Sequence, residues 1–123
     1  MEDNADDRRL LRELLEMEGV QVVGEAPNGK VGVELAVELD PDVILMDVRM
    51  PELSGIEATR LIKRSAPLTQ VVMLTSADQV TGVEAREAGV YAYLQKGGAP
   101  QLIRDVVVQA HRLKLRLQER RGA

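Results

Sequence analysis

Three short apolar runs in the sequence lead into polar side chains that could carry out chemistry together. Asp47 ends one run, Thr75 ends a second and Lys96 closely follows a third. Continuous apolar runs are typical of strands buried between two layers of helices, and open α/β sheets bind ligands at the carboxyl ends of their strands. We therefore expect a carboxylate, a hydroxyl and an ammonium group at one edge of a sheet.

Two further acidic residues, Glu2 and Asp3, stand immediately before the first helical pattern. If they join Asp47, three negative charges are crowded together, which is unfavourable unless a hard divalent cation lies among them. Magnesium is the natural choice for such a site. The alternative is that Glu2 and Asp3 form a solvated terminus in which Asp3 caps the following helix.

These residues occur in an order that resembles the receiver domain of two-component response regulators, over nearly the whole chain. In that family an aspartate accepts a phosphoryl group from a sensor histidine kinase or a phosphotransfer protein. The residues that carry the resemblance are Glu2, Asp3, Asp47 in Met-Asp-Val-Arg-Met-Pro, Gly55, Thr75, Tyr93 and Lys96.

The resemblance implies a role for each site residue. Asp47 is the phosphoacceptor, Lys96 pairs with it and then with the phosphoryl group, and Thr75 bonds a phosphoryl oxygen. Tyr93 is the switch aromatic that follows the movement of Thr75. Each residue also has an ordinary structural interpretation: Asp47 as a turn residue, Thr75 and Tyr93 as plain strand residues, and Lys96 as a solvated lysine.

The resemblance also implies the ligands of the metal ion. Asp3 and Asp47 bind Mg²⁺ directly or through water, Glu2 assists, and the backbone carbonyl of Arg49 completes the protein ligands. Phosphoryl transfer needs positive charge near the phosphoryl oxygens, and a carboxylate nucleophile needs no general base. The protein therefore has to supply positive charge at the site rather than a proton acceptor.

Strands alternate with helices along the chain, which predicts a flavodoxin-like, doubly wound α/β fold with a mainly parallel sheet. Turn and capping residues separate the elements. The predicted helices cover about residues 4–18, 30–39, 56–64, 80–88 and 100–120, and the predicted strands are 20–23, 42–47, 70–75 and 91–94.

One departure from the family is large: its first strand is absent, because the chain starts at Met1, just before the acidic pair. In the family's strand order this strand is interior. Three outcomes are open: the neighbouring strands close into a four-stranded sheet, a second chain fills the gap, or the natural protein is longer. We expect a four-stranded sheet stabilised by formation of a homodimer.

Composition limits the class of protein. The 123 residues predict a single domain, with residues 112–123 as a basic extension of the last helix. A net charge of −4 argues against direct binding of nucleic acid. The chain has no cysteine, no segment resembling a signal peptide and no membrane span, so we expect a cytoplasmic protein.

Three functions compete. The first is a signalling switch in which phosphorylation of Asp47 changes partner binding. The second is a turnover enzyme, an aspartyl-phosphate phosphatase, but such enzymes typically carry a second aspartate two residues after the nucleophile, and here that residue is Arg49. The third is a degenerate interaction and dimerisation module that is not phosphorylated. We expect the first and do not expect an enzyme.

Overall fold

The computed structural model describes residues 5–47, 54–75, 82–95 and 99–122. Within them, helices and strands alternate much as the sequence predicts. The helices are α1 (Ala5–Met17), α2 (Gly29–Leu39), α3 (Gly55–Ser65), α4 (Gly82–Ala88) and α5 (Pro100–Gly122), and the strands are β1 (Val43–Asp47), β2 (Gln70–Thr75) and β3 (Ala92–Gln95).

The three described strands form one parallel sheet in the order β1-β2-β3. Parallel neighbours require a crossover, and α3 and α4 provide the two crossovers in the described chain. Local sequence starts α2 and α3: the side chain of Asn28 accepts a hydrogen bond from the Val31 amide at 2.9 Å, and that of Ser54 accepts one from the Glu57 amide at 3.2 Å. The predicted α/β architecture is confirmed.

Helices cover both faces of the sheet. On one face α2 and α3 pack against β1 and β2 through Ala36, Ile44, Met46, Ile62 and Val71. On the other face α1 and α5 pack together over the odd-numbered positions of β1, in a cluster built around Leu15, Ile103 and Val107. The core is aliphatic throughout the described residues, as expected for a chain without Phe or Trp.

The prediction of a strand at Val20–Val23 is wrong, and the described sheet has three strands rather than four. The segment keeps the alternation of a strand, because Val20 and Val22 are partly buried while Gln21 and Val23 are exposed. However, residues 21–26 make no backbone hydrogen bond to any part of the chain that the structure describes. Sheet pairing requires strands about 4.8 Å apart, and a groove separates this segment from β1.

We call this space the β1 groove. It has a volume of about 150 Å³ and lies between residues 20–26 and the outer side of β1. Its walls are mainly aliphatic and come from both helical layers, with Arg8, Arg12, Gln21 and Glu25 also lining it. The aliphatic residues include Leu11, Leu15, Val22, Ala36, Val43 and Val107. In the described chain the two segments therefore do not pair with each other, contrary to the expectation of a four-stranded sheet.

Burial of Ile62 in the core predicts how its replacement changes the free energy of unfolding. Ile62 on α3 is fully buried, so Ile62→Ala should lower the free energy of unfolding by about 2–5 kcal/mol, because it leaves a cavity. The neighbouring Leu61 is 38% exposed, and Leu61→Ala should cost about 1 kcal/mol or less. Urea denaturation of both variants measures the difference. Equal losses would contradict the assignment of α3's inner face.

Candidate functional site

The carboxyl ends of β1 and β2 lie side by side. In the register of the sheet Asp47 is paired with Leu74, so the last residue of β1 lies beside the residue that precedes Thr75, the last residue of β2. The sheet thus brings together the ends of the strands that carry two of the predicted site residues. The structure describes the backbone of Thr75 but not its side chain.

Asp47 is buried, with 1% of its surface exposed. Its side chain is therefore held in the protein interior, where a carboxylate requires hydrogen bonds or cations as partners. Asp47 does interact with other groups of the chain. A buried carboxylate at the carboxyl end of a parallel strand has the placement of a functional group rather than that of a solvated turn residue.

The third strand extends the same edge of the sheet. Gln95, the last residue of β3, pairs with Thr75, so Lys96 follows directly from a residue beside the end of β2. Lys96 itself lies outside the described residues, as do Glu2, Asp3 and Arg49. Their predicted roles therefore rest on the sequence.

Tyr93 lies two residues before the end of β3 and pairs with Met73 of β2. Its side chain is 47% exposed. An aromatic residue in this place could move between solvent and the interior, as the switch role requires, but its position equally fits a half-buried strand tyrosine. Tyr91 is exposed to a similar degree at the start of the same segment.

Two residues of α5 make contacts that the sequence does not predict. Lys114 was assigned to a basic tail, but it is 1% exposed and its ammonium group contacts the chain between α2 and β1. His111 is partly exposed, and its Nδ1 lies 2.6 Å from a carboxylate oxygen of Asp42. The helical spacing from Ile103 through Val107 and Ala110 to Lys114 was the signal that placed Lys114 on the inner face.

None of the helices in the described ranges has both the length and the apolar character needed to cross a bilayer.

Comparison with known proteins agrees with the fold. The response regulator receiver domain profile matches residues 1–108. A receiver domain protein from Clostridium thermocellum has a similar structure, with a TM-score of 0.87 at 28% identity, covering 94% of each chain. The response regulator domain of Thermotoga maritima CheB is 32% identical, with a TM-score of 0.76, over 92% of this chain and 91% of that one.

Among curated proteins, the transcriptional regulatory protein PdtaR of Mycobacterium tuberculosis is 46% identical over 109 residues, covering 86% of this chain and 50% of PdtaR. The transcriptional regulatory protein LnrK of Bacillus subtilis is 40% identical over 112 residues, 86% of this chain and 51% of LnrK. The chain thus spans about half the length of these relatives. On this profile match and these identities, the chain belongs to the response regulator receiver domain family of two-component signalling.

Proposed function

We propose that the chain is a phosphoacceptor switch in which Asp47 receives a phosphoryl group from a sensor histidine kinase or a phosphotransfer protein. The observation that carries this proposal is the placement of Asp47, a buried carboxylate at the carboxyl end of β1 and beside the end of β2. Membership of the receiver family supports the same role. The carboxylate oxygen attacks the phosphorus atom, and the donor departs as its leaving group.

Magnesium is the proposed cofactor. Bound Mg²⁺ would neutralise negative charge on the phosphoryl oxygens during transfer. Asp47 fits as one ligand, since carboxylate oxygen is the donor that this ion prefers. The proposed remaining ligands are Glu2, Asp3 and the carbonyl of Arg49. In the described part of the chain no group of three or more His, Cys, Asp or Glu side chains could hold a metal, so the proposal depends on Glu2 and Asp3.

Lys96 and Thr75 are the proposed partners of the phosphoryl group. The pairing of Gln95 with Thr75 supports this, because it makes β3 lead into Lys96 at the edge where β2 ends. An ammonium group and a hydroxyl there would each donate a hydrogen bond to a phosphoryl oxygen. Movement of Thr75 towards that oxygen would free space for Tyr93, which couples the site to the exposed side of β3.

The proposed output is a change of binding partner rather than turnover of a substrate. We propose that residues 1–123 form one receiver domain, that residues 112–123 are a basic extension of α5, and that the chain forms a homodimer. A degenerate module that binds partners without phosphorylation is the second candidate. It is favoured by the β1 groove, since an incompletely filled sheet would anchor Glu2 and Asp3 poorly.

Labelling with acetyl phosphate tests the proposal. Incubation with this donor and Mg²⁺ should add one phosphoryl group to the chain, and Asp47→Asn should remain unlabelled because the amide cannot act as the nucleophile. Intact-mass spectrometry measures both, and circular dichroism checks that the variant folds. Labelling of Asp47→Asn to the extent of the parent would exclude Asp47, whereas no labelling of either protein would favour the degenerate module.

A further inference from the structure

Helix α5 carries a lysine that the proposed phosphotransfer does not use. Lys114 is almost completely buried, although it lies fourteen positions into the 23-residue helix and in its basic part. Burying an ammonium group is costly unless charged and hydrogen-bonding partners surround it. Lys114 must therefore be held in place by specific contacts.

Those contacts all come from the α2–β1 loop, which we define as Asp40–Asp42. The Lys114 ammonium donates to the carbonyl oxygens of Asp40 and Pro41 at 3.1 and 3.0 Å. It also lies 3.3 Å from a carboxylate oxygen of Asp40 and 3.4 Å from one of Asp42. An ammonium group has three hydrogens, so these oxygens fully occupy its donors.

The loop is a junction between several elements. Asp40 ends α2 in the left-handed conformation, with φ 45°, and its amide donates to the Ala36 carbonyl. The Thr69 hydroxyl donates to the Pro41 carbonyl at 2.8 Å, and the Gln70 amide donates to the Asp42 carbonyl at 3.0 Å. The loop therefore joins α2 to both β1 and β2, at the edge of the sheet opposite Asp47.

A second contact from α5 reaches the same loop. His111, one turn before Lys114, places Nδ1 2.6 Å from a carboxylate oxygen of Asp42. Two successive turns of α5 thus contact three consecutive loop residues. Among the described residues, no other side chain of α5 lies within ion-pair distance of the loop carboxylates.

We propose that Lys114 is a positioning residue that anchors the distal half of α5, residues 111–122, to the α2–β1 loop and so sets the direction of that half of the helix. Since β1 runs from this loop to Asp47, the contact is also a path by which a change at Asp47 reaches the end of α5. That second part rests on the proposed function, whereas the anchor itself does not.

Hydrogen exchange of the full chain tests the anchor. In Lys114→Met the amides of residues 111–120 should exchange roughly tenfold faster or more, because this half of α5 separates from the loop without the rest of the domain opening. Asp40 and Asp42 are partly exposed, so water can solvate their carboxylates in the variant. Lys114→Arg keeps the positive charge and should retain much of the protection.

Lys63 provides a matched control on α3. Its ammonium group donates to the carbonyls of Pro67 and Thr69 at 2.8 and 2.9 Å, and burial lowers its pKa. Lys63→Met therefore removes a comparable lysine contact but should leave exchange in residues 111–120 unchanged. Asp42→Asn weakens the contact from the loop side and should accelerate exchange in residues 111–120. This variant tests the anchor if Lys114→Met does not fold.

The outcomes separate the anchor from the phosphoacceptor role. Unchanged exchange of residues 111–120 in Lys114→Met, or an equal increase in Lys63→Met, overturns the anchor. Beryllofluoride, a stable phosphoryl analogue, should bind the parent and Lys114→Met equally, yet alter exchange at the end of α5 only in the parent. Persistence of that response in Lys114→Met overturns the path. If beryllofluoride does not bind the parent, both the proposed function and the proposed path from Asp47 to α5 are contradicted. Hydrogen exchange of the proteins without beryllofluoride still tests whether Lys114 anchors α5.

Discussion

Adding a segment of about six aliphatic residues before Met1 should raise the melting temperature by roughly 10 °C. Residues of both helical layers line the β1 groove, including Leu11 and Leu15 of α1. We therefore expect a segment that precedes α1 to enter it. Residues 21–26 offer backbone groups that have no hydrogen bond within the described chain. A strand inserted there would bury its side chains and pair along this segment.

The size of the effect follows from two opposing terms. Burying six aliphatic side chains contributes about 12 kcal/mol at about 2 kcal/mol each. Ordering six residues costs about 9 kcal/mol at about 1.5 kcal/mol per residue. The difference, about 3 kcal/mol, corresponds to the expected shift in melting temperature for a domain of this size.

A Gly/Ser segment of the same length is the control, since it can add backbone but no apolar surface. Calorimetry of both proteins measures the shift, and a magnesium titration should show tighter binding to the aliphatic version alone, because Glu2 and Asp3 would follow an ordered strand. If the two proteins have the same melting temperature and the same magnesium affinity, the β1 groove does not accept a strand.

Lys96→Ala should weaken binding of beryllofluoride by roughly 10- to 100-fold, because a hydrogen bond to a charged group contributes about 1.5–3 kcal/mol. The proposed role of Lys96 is to place its ammonium group on a phosphoryl oxygen. The variant should still fold, since its substitution leaves the described core intact. Titration calorimetry in the presence of Mg²⁺ measures the affinity.

Lys63→Ala is a suitable comparison for this experiment. Lys63 contacts the carbonyls of Pro67 and Thr69, just before the start of β2 and therefore at the edge of the sheet remote from Asp47. Its removal should leave the beryllofluoride affinity within about twofold of the parent value. Equal affinity of the parent and Lys96→Ala would remove Lys96 from the site.

Sequence patterns were sufficient for most of the described fold. The apolar run before Asp47 predicted β1 within one residue, because a strand buried on both faces excludes polar side chains along its length. The spacing of apolar residues likewise predicted a long last helix from Pro100, observed to Gly122. The placement of Asp47 at the end of β1 is therefore a consequence of local sequence.

Val20–Val23 shows where such reasoning fails. Its alternating pattern predicted a strand, and its side chains do alternate between partly buried and exposed. A strand, however, is defined by hydrogen bonds to a neighbour, and the neighbour is not encoded in the segment itself. The partner on the β1 side lies beyond the groove, so the local preference is present without the pairing.

The burial of Lys114 was not predicted, for a related reason. Its contacts are with residues 73 and 74 positions earlier in the chain, and no local pattern reports such a distance. Position on the inner stripe of α5 predicted burial, while residue type predicted exposure. Lys114 is buried because carbonyl and carboxylate oxygens of the α2–β1 loop surround its ammonium group.

The two tyrosines have a consequence for spectroscopy. Tyr91 and Tyr93 are the only aromatic residues, and both are exposed on or next to β3. Near-ultraviolet absorption, fluorescence and circular dichroism will therefore sense one face of one edge strand, and they will be blind to the aliphatic interior. A partly loosened core would pass unnoticed by these signals, so backbone or methyl probes are needed to follow its packing.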